Sequence, residues 1–95
     1  MPTYLIVNAA VTDPEMLDAY RAAVGRTLQG HDVVVRVSTN EAETIEGEPN
    51  GPRVVVLEFP DRDAFRAWYD SPAYQEIIGL RIGSTDGFAV LVEGR

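Results

Sequence analysis

The segment from Val54 to Arg81 constrains the fold more than any other part of the chain. It opens on the apolar run Val54-Val55-Val56-Leu57, passes through Glu58 and Phe59, and stops at Pro60-Asp61. Proline lacks the amide a sheet interior needs and aspartate caps helices, so a buried strand here hands over to a helix. Phe65, Trp68 and Tyr69 then recur at helical spacing and gather three aromatics on one face. Ser71-Pro72 ends that helix at about Asp70 and starts another, with serine as the cap and proline in the first turn. The second piece carries Tyr74 and Arg81 and breaks near Gly79 or Gly83.

The rest of the chain falls into place around this unit. Tyr4 to Val11 reads as a strand that is polar only at Asn8 and stops at Thr12-Asp13-Pro14. A helix follows, capped by Asp13 or by a Thr12–Glu15 box, with Leu17, Tyr20, Val24 and Leu28 on its apolar stripe. Gly30 closes it. Val33 to Ser38 is the next strand, with Val33, Val35 and Val37 alternating against Val34, Arg36 and Ser38. Thr39 to Pro52 is the most polar stretch; Thr44-Ile45-Glu46 extends the strand after a bend, and Gly47 to Pro52 is a loop. Asp86-Gly87 turns the chain into a last strand, Phe88 to Glu93. The order is β-α-β-β-α-β with the second helix in two pieces. That is the α+β, ferredoxin-like arrangement: a four-stranded antiparallel sheet with helices on one face, forming a single domain over residues 1–95.

This topology puts the first and third strands in the middle of the sheet, and both are apolar on both faces. Helices cover only one face, and a strand half-exposed to water should alternate. The bare face would carry a larger apolar patch than soluble monomers tolerate. The expected state is a homodimer in which two open sheet faces meet, with twofold symmetry.

Composition removes whole classes of function. The formal charge is −7, with no basic run, which argues against nucleic acid or an anionic membrane as partner. All eight positive residues are arginine, so lysine Schiff-base chemistry, including pyridoxal-phosphate attachment, is excluded. Cysteine is absent, which removes disulfides, thiolate catalysis, iron–sulfur sites and thiolate zinc sites. The start of the chain has no basic n-region, and its apolar run of about eight residues is too short for a signal sequence or a membrane span. A cytoplasmic protein without a cofactor is expected.

Few residues carry chemistry. Glu58 lies in an apolar strand, where it either acts as a base or ligand anchor with a pKa lifted by desolvation, or pairs with Arg36, Arg53 or Arg81, or is exposed at the sheet edge. Arg81 follows the apolar Ile77-Ile78-Gly79-Leu80 and either grips an acidic metabolite through its guanidinium fork or forms an internal salt bridge, with Glu58 as the expected partner. Tyr20, Trp68, Tyr69 and Tyr74 are cavity walls or core. Ser71 reads as a cap, with no nucleophile elbow around it. A lone His31 past a helix end cannot build a usual metal site, and Asn8 is a weaker candidate for orienting a ligand. The acidic stretch Glu41 to Glu48 lacks the spacing of a calcium loop, and Gly83 to Gly87 reads as a turn.

Several runs together resemble one family. The strand into Thr12-Asp13-Pro14, Val54 to Phe59 into Pro60, Ala67-Trp-Tyr-Asp-Ser-Pro-Ala-Tyr74, Leu80-Arg81 and the closing Val90-Leu-Val-Glu-Gly94 are similar to the DUF1330 family of domains of unknown function. The Trp-Tyr-x-Ser-Pro-x-Tyr run is the most specific part. In one departure, the turn after the first helix reads Gly30-His31-Asp32 where members often carry a Gly-rich turn. The resemblance implies a dimeric α/β-barrel, an architecture shared by small cofactor-free monooxygenases, muconolactone-isomerase-like proteins and stress-responsive proteins. It brings no catalytic set with it. The reading is a dimer with a pocket for a small aromatic or carboxylated metabolite. The alternatives are a cofactor-free oxygenase- or isomerase-like enzyme with Glu58 as base and Arg81 as anion anchor, and a purely structural or stress-associated dimer.

Overall fold

The computed structural model describes residues 1–95. The elements run β1 (Thr3–Val11), α1 (Pro14–Leu28), β2 (Val34–Thr39), β3 (Arg53–Phe59), α2 (Arg62–Tyr69), α3 (Pro72–Ile82) and β4 (Thr85–Glu93). The strands form one antiparallel sheet in the order β2-β3-β1-β4, so β1 and β3 are central, as their apolar faces require.

Each helix starts where a cap residue meets a proline or a strand end. Asp13, not Thr12, caps α1 and accepts from the Met16 amide at 3.1 Å. Asp61 caps α2 through the Ala64 amide at 2.8 Å, and Ser71 caps α3 through the Tyr74 amide at 3.3 Å. Such caps contribute about 1 kcal/mol apiece. After α1 the chain passes through Gly30 at φ 80°, a left-handed turn that glycine enters without strain.

The core lies between the helices and one face of the sheet. Leu5, Val7, Leu57 and Phe59 meet Leu17, Tyr20, Phe65, Trp68 and Tyr74 there, all buried. Phe59 stacks on Trp68 at 5.8 Å between centroids and meets the edge of Phe65 at 5.4 Å. The Trp68 indole donates to the Thr27 hydroxyl at 2.9 Å, which donates in turn to the Val24 carbonyl, so this buried polar chain is closed.

Three expectations about the strands need correction. Thr44–Glu46 does not extend β2: residues 40–52 form no strand. Asp86-Gly87 is not a turn; the chain reverses at Gly83-Ser84, and β4 already runs from Thr85. The simple alternation of β2 is broken by a bulge between Val35 and Val37. Val35 is paired with Leu57 on the helix-facing side, but Val37 is paired with Val56 on the open side, because Arg36 is the extra residue. The bulge thereby turns Ser38, opposite Val55, towards the helices.

The open face carries Tyr4, Ile6, Val34, Val37, Val54, Val56, Phe88, Val90 and Val92, read from the register. Phe88 is 48% exposed and Val90 43%. No helix is long and apolar enough to cross a membrane.

Candidate functional site

A cavity of about 210 Å³ lies between the helices and the sheet, on the side of β2. Val35 of the edge strand β2, half exposed, lines it. Leu5, Val7, Val55 and Leu57 make its floor, and Val24 and Leu28 of α1 its roof. Buried Trp68 lines it as well. The walls are largely apolar, as in sites that take small organic molecules.

The polar groups are few and of one kind. Three arginines line the cavity, Arg21, Arg53 and Arg81, together with Tyr20, Tyr74, Ser38 and Thr85. No carboxylate does. The three ion pairs of the chain, Arg36–Glu58, Arg62–Glu93 and Arg66–Asp70, involve none of these arginines.

Arg81 sits in the last turn of α3. Its carbonyl accepts from the Ser84 amide, the Ser84 hydroxyl and the Thr85 hydroxyl, the last at 2.8 Å, which pins the backbone from which the side chain leaves. Its Nε donates to the Tyr74 hydroxyl at 3.3 Å, and that hydroxyl lies 2.9 Å from the hydroxyl of Tyr20. The two terminal nitrogens have no protein partner and keep open surface. Burial is the largest influence on the Arg81 guanidinium and works to lower its pKa, but the surrounding tyrosine oxygens outweigh it and the net shift is upward. Burial likewise drives the Tyr20 phenol far upward, with the Tyr74 hydroxyl adding to it, so Tyr20 stays neutral.

Arg53 opens β3 on the helix-facing side and is buried, 6% exposed. Its one partner is the Asn40 side-chain oxygen, at 2.8 Å. Burial lowers its pKa, and the neighbouring charge of Arg21 lowers it further. A buried cation repelled by a second cation and neutralised by no acid is costly unless an anion joins it. Arg21 itself is exposed, at the cavity mouth.

Asn8 lies outside the cavity. Its amide nitrogen donates to the carbonyls of Gly51 and Arg53, at 2.9 and 3.2 Å, and its oxygen accepts from the Asn50 amide. It staples the end of the loop, where Gly51 lies so close to Ala10 that a β-carbon has no room.

The structure thus brings Tyr20, Trp68, Tyr74 and Arg81 together and leaves Glu58 and Tyr69 out. Glu58 follows the parity of the strand: Leu57 and Phe59 point to the helices, so Glu58 points to the open face. There it pairs with Arg36 at 3.2 Å, not with Arg81, and Arg36 together with Tyr4 holds its pKa below the ordinary carboxylate value. The Glu58–Arg81 bridge and the lifted pKa expected of a base are both corrected by this geometry. Tyr69 stacks on Phe65 at 5.1 Å and does not reach the cavity. His31 lies with Glu58 and Pro60 around a shallow recess elsewhere.

Arg53 and Arg21 are the residues that sequence reasoning missed. Both had a signal: Arg53 shares strand parity with Leu57 and Phe59, and Arg21 falls one turn from Leu17 on the apolar side of α1. Nowhere do three His, Asp or Glu side chains converge as a metal cage. The donors present, guanidiniums and hydroxyls around apolar walls, suit an organic anion.

Comparison with known proteins agrees with the geometry at the level of fold. Residues 2–95 match the family described as "Domain of unknown function (DUF1330)". A protein of unknown function from Rhodopseudomonas palustris superposes with a TM-score of 0.82 at 16% identity, over 99% of this chain and 82% of that one. A dimeric ferredoxin-like protein of unknown function from Thermobifida fusca gives 0.65 at 16% identity, over 97% and 90%. SnoaB, a cofactor-independent oxygenase from Streptomyces nogalater, gives 0.63 at 14% identity, over 99% and 91%. No curated protein matches the sequence.

Proposed function

The chain belongs to the DUF1330 family, and we propose that this protein is a homodimer whose protomers each bind a small organic acid in the cavity beneath α1. The observation that carries this reading is the unneutralised arginine set. Arg81 and Arg53 reach a mostly apolar cavity that contains no acid of the protein's own. The terminal nitrogens of Arg81 are free to hold a carboxylate in two parallel bonds, with its Nε anchored on Tyr74. Trp68 and the valine and leucine walls would pack against the body of the ligand. Dimerisation is supported by the open sheet face, whose exposed valines and Phe88 have no cover within the protomer.

An enzyme with Glu58 as base finds no support in this geometry, since Glu58 and the cavity lie on opposite faces of the sheet. Similarity to SnoaB is one of fold.

The test is a thermal-shift screen of benzoate, phenylacetate and hexanoate against their amides, on wild type and Arg81→Met. A ligand at about a hundred times its dissociation constant adds roughly 2.7 kcal/mol, several degrees in a domain of this size. The acids should raise Tm, the amides should not, and Arg81→Met should abolish the shift. Equal shifts for acids and amides would overturn the reading.

A further inference from the structure

If the cavity is an anion site, its charge says which anion. Two of its guanidiniums, that of buried Arg53 and that of half-buried Arg81, stand on different elements with different partners. Arg53 leaves β3 and is held by Asn40; Arg81 leaves α3 and is held by Tyr74. Tyr20 lines the same cavity, its hydroxyl 2.9 Å from the Tyr74 hydroxyl that holds Arg81. Each guanidinium spends one donor on a neutral oxygen, and every nitrogen without a partner keeps open surface. A single carboxylate bound to either would leave the other uncompensated, with exposed Arg21 adding its charge at the mouth. Acids outnumber arginines fifteen to eight in this chain, yet none neutralises this cluster.

Resting on the proposed reading of the cavity, we infer that the ligand is a dianion: a dicarboxylic acid with one carboxylate on Arg81, the other on Arg53, and an apolar body between them against Trp68. The repulsion that Arg53 feels from Arg21 is then relieved by the second carboxylate. A monoacid with the same body fills the same space and meets only half of the charge.

The experiment is calorimetric titration of wild-type protein with three matched compounds in each of two series. The first is adipate, monomethyl adipate and hexanoate; the second is isophthalate, monomethyl isophthalate and benzoate. A charge-assisted bond to a buried guanidinium corresponds to about a ten- to hundredfold gain in affinity. In at least one series the diacid should bind that much tighter than its half-ester, and the half-ester should resemble the monoacid. Arg53→Gln and Arg81→Gln should each bring the diacid to the level of the half-ester. Because the half-ester removes one charge without altering the protein, the result does not depend on either variant folding. Half-esters or monoacids that bind as tightly as the diacids would overturn the dianion and leave the proposed function standing. Absence of binding by all six compounds would overturn both.

Discussion

Arg81 donates its Nε proton to the Tyr74 hydroxyl at 3.3 Å and meets no carboxylate. A buried arginine paired with an acid is expensive to unpair, on the order of 3 kcal/mol, because a bare charge stays behind. An arginine bonded to a neutral phenol leaves no such charge. Replacement of Arg81 by methionine, which keeps the apolar stem, should therefore lower stability by less than about 1 kcal/mol. Urea denaturation followed through Trp68, the one tryptophan, checks this. A loss near the ion-pair figure would mean that Arg81 is internal scaffolding.

The two tyrosines should respond unequally. The Tyr20 hydroxyl has one protein partner, Tyr74, whereas the Tyr74 hydroxyl has two, Tyr20 and Arg81. Tyr74→Phe strands a buried hydroxyl and should cost about 1–3 kcal/mol. Tyr20→Phe leaves Tyr74 still bonded to Arg81 and should cost about 0.5–1.5 kcal/mol. The double variant should be little worse than Tyr74→Phe, since the shared bond is lost once. Denaturation midpoints of the three variants close the cycle; additive costs would mean that the hydroxyl pair is not coupled.

How far the sequence discloses this arrangement depends on whether a position carries a local marker. The helix starts are legible because Asp13, Asp61 and Ser71 stand at caps beside strand ends or prolines. Central placement of β1 and β3 is legible because their side chains do not alternate. The bulge in β2 is not, since consecutive valines look alike on either face and give no parity to read. That one residue decides that Ser38 and not Val37 faces the cavity. Arg53 is missed because a charge at a strand start reads as solvent-facing until the distant Asn40 and α1 close over it. Glu58 could be assigned to the open face by counting from Phe59; only its partner among several arginines needed the fold.

On that face, Glu58 makes a prediction about acid. Arg36 lowers its pKa from the ordinary 4.5, with Tyr4 beside it acting in the same direction. A carboxylate whose folded pKa is depressed contributes stability that is fully present above its unfolded value. That contribution fades as pH falls below about 4.5 and is gone once pH has passed the lowered value. Arg36→Ala should raise the Glu58 pKa towards 4.5 and flatten this part of the acid-stability profile. Carboxyl carbon shifts followed through a pH titration test it; an unchanged Glu58 midpoint in Arg36→Ala would show that the pair is not the cause.

The same face tests the assembly. Val90 is paired with Ile6 in the register, faces away from the helices and is 43% exposed in the protomer. Glutamate there would meet water in a monomer and should disturb its fold little. In a dimer of sheet against sheet it would be buried without a partner, twice over by symmetry, at a cost of several kcal/mol. Wild type should therefore scatter light as twice the 10.4 kDa chain, with a Tm that rises with concentration. Val90→Glu should scatter as one chain, keep its far-ultraviolet dichroism and lose the concentration dependence. A Val90→Glu protein that stays dimeric would move the contact elsewhere, and a monomeric wild type would leave the valines of the open face without the partner proposed for them.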